Sequence, residues 1–258
     1  MLLVYFIHFL YLPDMNGIVN NVSVDCVIFG FDPKGLNVLL VERELKLNGD
    51  ATPLIKDHTL IGYHIYHNER LHDAAERILH DLTGLKDIYL EQIFTFGDPT
   101  RLMSEKDQLW LKNIDMEVDN RTVTVVYYSL VDISKFKIIE TGRKTNWFPI
   151  HELPELGFDH DKIVRKALEM LQVKVQLEPI VFELLPDKFT LTELQRVYEA
   201  VLDTNLDRRN FRKKIAQMKY VIPLDEKQKG VAHKPAQLYF FSREVYDKTK
   251  KDRYFIAI

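Results

Sequence analysis

Apolar and polar positions change period several times along the chain, and each change marks an element. Val22-Ser-Val-Asp-Cys-Val-Ile-Phe-Gly30 and Leu36 to Val41 are rich in β-branched and aromatic residues. The turn sequence Asp32-Pro-Lys-Gly35 joins them, so the two runs predict a hairpin. Apolar residues then recur at 71, 74, 75, 78, 79 and 82, one face of a helix, and Gly84 supplies its stop. Strands are expected at Ile88 to Phe96 and Thr122 to Val131, and a second amphipathic helix from about Asp161 to Leu171. Thr100 to Asn120 has many charges and no period, which reads as an exposed insertion in a loop. Further on, Thr190-Leu-Thr-Glu193 has the form of a capping box, opening a helix whose apolar face is Leu194, Val197, Tyr198 and Val201. Asp207 caps another helix, with Phe211, Ile215 and Met218 in one stripe. Tyr220-Val-Ile-Pro and Pro235 to Phe241 read as two strands around a charged turn.

Composition narrows the class without naming a chemistry. The 258 residues are 46% hydrophobic and 11% aromatic, which is ordinary for a globular chain of one or two domains. The single cysteine, Cys26, cannot form an intrachain disulfide and is expected as a buried apolar residue, which fits a reducing cytoplasm. Charge is uneven: residues 181–258 carry a net +5, whereas the remainder carries −8. The Pro-containing run 177–190 precedes a new helix start, so the boundary is placed near residue 178. The chain divides into 15–177 and 178–258. The apolar run within residues 1–14 is about 12 residues long, too short for the ~20 that span a bilayer. Met15 is read as the natural start, with an interfacial anchor as the alternative.

The order of strands and the helix ending in Leu82-Thr-Gly-Leu85 resembles the Nudix family, whose motif is G-x5-E-x7-R-E-U-x-E-E-x-G-U. Tyr63 falls on the first Gly, Glu69 on the first Glu and Arg77 on the Arg, while the three metal-binding glutamates fall on Ile78, Asp81 and Leu82. Magnesium needs oxygen ligands, and two of these three side chains are hydrocarbon, so neither metal nor any other cofactor is expected. Glu69 and Arg77 are expected to persist as a structural pair. His64, His67, His72 and His80 crowd the same region, but none is paired at i, i+4 as a zinc dyad would be.

In the basic part, Arg208, Arg209, Asn210, Arg212, Lys213 and Gln217 are expected on the helix surface away from the apolar stripe. Two helices joined by a short turn, followed by a strand pair carrying Lys227, Lys229, His233 and Lys234, form a winged helix-turn-helix pattern. Arginine and asparagine can contact base edges, and the wing lysines phosphates, so double-stranded DNA is the expected partner. A merely solvated charged helix is the plainer alternative.

A Nudix-like domain without its acids, followed by a winged helix, resembles the Nudix-related transcriptional regulators, the group with arabinose-responsive and NAD-metabolism members. The most specific stretches are Val24 to Phe31, Asp73 to Leu85, Phe158-Asp-His160, Glu178-Pro-Ile180, Phe189-Thr-Leu191 and Asp207 to Lys213. The resemblance implies an α+β chain: a Nudix-like α/β/α sandwich with a mixed sheet, then a winged helix. It also implies a homodimer whose first domain binds a small effector. Asp25, Phe96, Arg121 and Tyr127 are the expected effector-binding residues, each open to a core or rim reading. A pentose-like sugar is favoured over an ADP-ribose-like nucleotide, and a role in sugar catabolism follows. The rival reading is a Nudix hydrolase of ADP-ribose-like substrates recruiting Glu69, Asp81 and Glu91; a third is an inactive protein-interaction module.

Overall fold

A computed structural model describes residues 17–46, 53–113, 121–135, 143–230 and 234–249. The expectations for residues 1–14, for His233 and for the last part of the 100–120 segment lie outside them.

The hairpin forms as β1 (Ile18–Asp32) and β2 (Gly35–Leu45), with Asp32 opposite Gly35 and Phe31 opposite Leu36. Asp32 Oδ1 accepts hydrogen bonds from the N–H groups of Lys34 and Gly35, at 2.7 and 3.1 Å, and Gly35 adopts a φ of 144°. That is the local reason the chain reverses there. Two short strands follow, β3 (Ile55–Thr59) and β4 (Ile61–Tyr66), and then α1 (Leu71–Thr83). Gly84 ends α1 in the left-handed conformation, φ 72°, its N–H donating to His80 O at 2.7 Å. β5 (Glu91–Phe96), α2 (Glu105–Asn113), β6 (Val123–Asp132), β7 (Thr145–Pro149) and the long α3 (His160–Leu177) complete the first part.

The sheet runs β3-β2-β1-β6-β5, with β4 paired to β1 and β7 to β2. β1 and β6 are parallel and their neighbours antiparallel, so the sheet is mixed. Alternation along the strands sends side chains to two different cores. Val24, Cys26, Ile28, Val125 and Tyr127 meet Ala74, Ala75, Ile78 and Leu79 of α1. Val27, Phe29, Val126 and Tyr128 share the opposite core with Ile163, Val164, Ala167 and Leu171 of α3. This is the α/β/α sandwich expected from the resemblance.

Past α3 and a short 3-10 turn lie α4 (Leu191–Leu202), α5 (Arg208–Gln217), β8 (Val221–Lys227), β9 (Gln237–Phe241) and α6 (Arg243–Thr249). The capping box is complete: Thr190 Oγ1 accepts from Glu193 N at 3.1 Å, and Glu193 Oε2 accepts from Thr190 N at 2.6 Å. Asp207 caps α5 by accepting from Asn210 N at 2.8 Å. Phe211 meets Tyr198 edge-on at 5.8 Å, locking α5 onto α4. β8 and β9 pair antiparallel as the wing. Among the described residues no helix is long and apolar enough to cross a membrane.

Three expectations need correction. The 100–120 segment is not merely an exposed loop: it contains α2 and buries Arg101, Leu102, Asp107 and Leu111. Its inward positions include charged residues, which erased the amphipathic period. The strand expected from Ile88 starts at Glu91, and the helix expected to end at Leu171 continues to Leu177.

Candidate functional site

The Nudix helix retains its scaffold and lacks its metal chemistry. Glu69 accepts from Arg77 Nε at 2.9 Å and Nη2 at 2.6 Å, and from Tyr66 N at 2.6 Å. Burial opposes the charge of Glu69, but these bonds outweigh it and hold the carboxyl below its ordinary range. Arg77 also lies 4.0 Å from the Tyr66 ring. The expected structural pair is therefore present. Ile78 is buried in the α1 core, and Leu82 packs against it. Asp81 is exposed, 3.9 Å from Arg77 Nη1. The magnesium that the fold family implies does not fit these residues. Two hydrocarbons and one outward aspartate cannot supply an octahedral oxygen set, and the nearby Glu69 already serves Arg77 and Tyr66. Among the described residues no group of three metal-ligating side chains occurs elsewhere.

A cleft opens where β1, β2 and β4 meet the α2 segment and the start of α3. Its walls include Asp25 on β1, Arg43 on β2, Gly62 to His64 on β4, Arg101 and Trp110 around α2, Arg143, Phe158 and His160. Buried ion pairs frame it. Arg43 Nε and Nη2 each donate to Asp57 at 2.7 Å, and Nη1 lies 2.8 Å from Asp107. Lys106 Nζ also reaches Asp57, at 2.6 Å. Burial works against the Asp57 charge, yet Arg43 and Lys106 outweigh it and keep the carboxyl below its ordinary range. Arg101 forks onto Asp159 at 3.1 and 2.8 Å, tying the start of the α2 segment to the residue that precedes α3.

Two backbone features make room for this network. A Cβ at Gly157 would stand 2.4 Å from Arg43 Nη2, so only glycine lets the guanidinium lie where it does. Phe158 next to it has φ 59°, a conformation a bulky residue rarely adopts. Its N–H donates to Asp107 Oδ1 at 3.1 Å, and its ring sits 4.7 Å from the Arg43 guanidinium. A strained backbone beside a polar cleft is one mark of a functional site.

His160 is buried, and its Nδ1 accepts from Leu60 N at 2.9 Å, which leaves the proton on Nε2, 3.6 Å from Asp25 Oδ1. Burial, above all, lowers its pKa; the same cause lowers His64. Protonation at Nδ1 would break the bond to Leu60. The unfolded chain therefore binds more protons than the native one below about pH 6.5, and stability is lost as pH falls from there through the depressed native values. The urea midpoint should be lower near pH 5 than near pH 7.5, and His160→Asn, whose amide oxygen can still accept from Leu60, should shrink the difference. A midpoint indifferent to pH in wild type would contradict this.

Of the four expected effector residues, the cleft contains Asp25 alone. Tyr127 is paired in register with Cys26 and faces α1, because one step along a strand changes the face. Its hydroxyl lies 3.2 Å from Gln92 Oε1. Phe96 meets Phe94 at 5.0 Å with the rings tilted, at the end of β5, and Arg121 is exposed, donating to Gly97 O at 3.5 Å. Tyr63, noted only as a departure from a glycine, lines the cleft. Sequence reasoning passed over Arg43, Asp57, Arg101, Asp107 and Trp110. The one signal for this corner was the stretch Phe158-Asp-His160.

In the second part, Arg208, Arg209, Asn210, Arg212, Lys213 and Gln217 are exposed on α5, opposite buried Phe211 and Ile215. Lys227, Lys229 and Lys234 are exposed at the wing. Among the described residues no carboxylate pairs with Arg208, Arg209, Arg212 or Lys213, so α5 presents net positive charge.

Residues 181–241 match the NrtR DNA-binding winged helix domain family. The chain is 28% identical over 235 residues to the ADPR responsive transcriptional repressor NtrR of Acinetobacter baylyi, covering 87% of this chain and 83% of that protein. It is similar to the crystal structure of Shewanella oneidensis NrtR, with 27% identity, a TM-score of 0.65, and coverage of 86% and 94%. The same holds for that protein complexed with a 27mer DNA, with 25% identity, a TM-score of 0.63, and coverage of 88% and 95%. A Nudix-like sandwich without its metal-binding acids is thus joined to an NrtR-type winged helix, the make-up of the Nudix-related transcriptional regulators.

Proposed function

We infer that this DNA-binding regulator is a repressor that holds an operator through its winged helix and releases it when ADP-ribose enters the cleft. The observation that carries the reading is one chain with a cationic recognition helix on an NrtR-type domain and, on its Nudix-like domain, hydrocarbon where metal ligands would be. Residues 15–177 would sense and residues 178–258 would bind DNA. Arg208, Arg209, Asn210, Arg212, Lys213 and Gln217 would enter the major groove, and Lys227, Lys229 and Lys234 would touch phosphates. A homodimer on a two-fold operator would double the contacts and multiply specificity.

ADP-ribose replaces the pentose favoured by the sequence. The comparisons lend no support to a sugar effector or to sugar catabolism, and the Acinetobacter relative is named for its response to ADPR. The cleft suits a ligand of mixed chemistry, since it combines an indole, guanidinium groups and a carboxylate. Thermal-shift measurements on the full chain test this: ADP-ribose should raise the melting temperature and free arabinose should not. Stabilisation by arabinose with none from ADP-ribose would reverse the assignment.

A further inference from the structure

The cleft has two chemically different ends. At the floor, the Asp25 side chain is 6% exposed, and its nearest cationic or N–H partners are the His160 Nε2 at 3.6 Å and the Arg101 Nη2 at 3.7 Å. Both distances exceed a normal hydrogen bond, so the carboxylate oxygens keep lone pairs available to donors entering from the cleft. Gly62 creates the space: a Cβ there would stand 1.9 Å from Asp25 Oδ1. Leu60 and His160, both buried, line the floor beside it. At the mouth, Arg143 lies 6.0 Å from the Trp110 ring, and among the described residues no carboxylate pairs with it. The other cleft arginines are balanced inside the fold, Arg43 by Asp57 and Asp107, Arg101 by Asp159.

These ends orient a ligand that is anionic in the middle and hydroxyl-rich at one terminus. A diphosphate is repelled by a buried carboxylate and attracted by the Arg143 side, whereas sugar hydroxyls are donors that a carboxylate accepts. We propose that Asp25 reads the vicinal hydroxyls of the terminal ribose of ADP-ribose, with Gly62 keeping the carboxylate in place, and thereby sets specificity against ADP, while the closed floor excludes the base-bearing ribose of NAD. This rests on the effector reading above. ADP lacks the terminal ribose, and in NAD that ribose carries a base where the floor is lined by Leu60 and His160. An unmet buried acceptor gives a polar site its discrimination, because an analogue without the hydroxyls leaves it unpaired.

Calorimetric titration of the full chain tests the proposal. Wild type should bind ADP-ribose at least about tenfold more tightly than ADP or NAD. Asp25→Asn is isosteric and should lower the ratio of ADP-ribose to ADP affinity by about tenfold or more. A second arm needs no variant: ADP-ribose with a 2-deoxy terminal ribose should bind wild type about tenfold more weakly. An unchanged ratio in Asp25→Asn, or equal binding of the deoxy analogue, overturns the proposal while leaving ADP-ribose as effector. If ADP-ribose does not bind wild type at all, the effector reading falls and the proposal with it.

Discussion

Arg43→Ala should cost about 3–5 kcal/mol of stability, the range for removing one partner of a buried ion pair. The Arg43 side chain is 1% exposed and holds Asp57 on β3 and Asp107 on α2 simultaneously. Its removal strands Asp107 without a cation and leaves Asp57 only Lys106. It also takes away the cation beneath the Phe158 ring, the contact that helps hold a left-handed backbone. Arg43→Lys should recover part of the loss at most, since an ammonium cannot fork onto Asp57 and reach Asp107 together. Urea unfolding checks both variants. A loss below about 1 kcal/mol for the alanine variant would mean that water replaces the network cheaply.

Arg209→Ala and Arg212→Ala should each weaken operator binding by about 1–3 kcal/mol where the side chain reaches a base edge. The two residues lie on the outer face of α5, and the helix is anchored from behind by Phe211 and Ile215, so the alanine variants should fold normally. Lys234→Ala should instead weaken all sequences alike and reduce the salt slope by about one unit, as expected for a phosphate contact at the wing. Gel shifts at two salt concentrations separate these behaviours. Indifference of affinity to all three substitutions would remove the winged helix from DNA recognition.

Sequence pattern made the elements with strong local period legible: the β1–β2 hairpin, α1 with its Gly84 stop, and the α4–α5 pair with its two caps. Each is specified by neighbours within a few turns or by one tight turn. β3, β4 and β7 have five, six and five residues, too few for alternation to stand out, and they exist because β1 and β2 offer edges to pair with. The cleft was harder still. Arg101 and Asp159 are 58 residues apart, and Phe158 and Asp107 are 51 apart, so no local spacing announces either contact. In α2 the buried positions are Asp107 and Leu111, and a charge in the core defeats a pattern that equates polar with exposed. Tyr127 falls outside the cleft for a simpler reason. Its parity with Val125 puts it on the α1 face, whereas Asp25 shares the α3 face with Val27 and Phe29.

The distance between cleft and DNA-binding surface is bridged by α3. His160 at its first residue lines the cleft, and further along Gln172 Nε2 donates to Val201 O at the end of α4, at 3.0 Å. A ligand that alters how α3 begins can therefore bias the placement of α4 and α5, provided it binds the DNA-free arrangement more tightly. Fluorescence anisotropy of a labelled duplex, selected by the protein from random sequence, measures that coupling in one titration. Saturating ADP-ribose should raise the operator Kd by about 5- to 150-fold, the range of a coupling of about 1–3 kcal/mol. An operator Kd unchanged or lowered by saturating ADP-ribose would contradict the account.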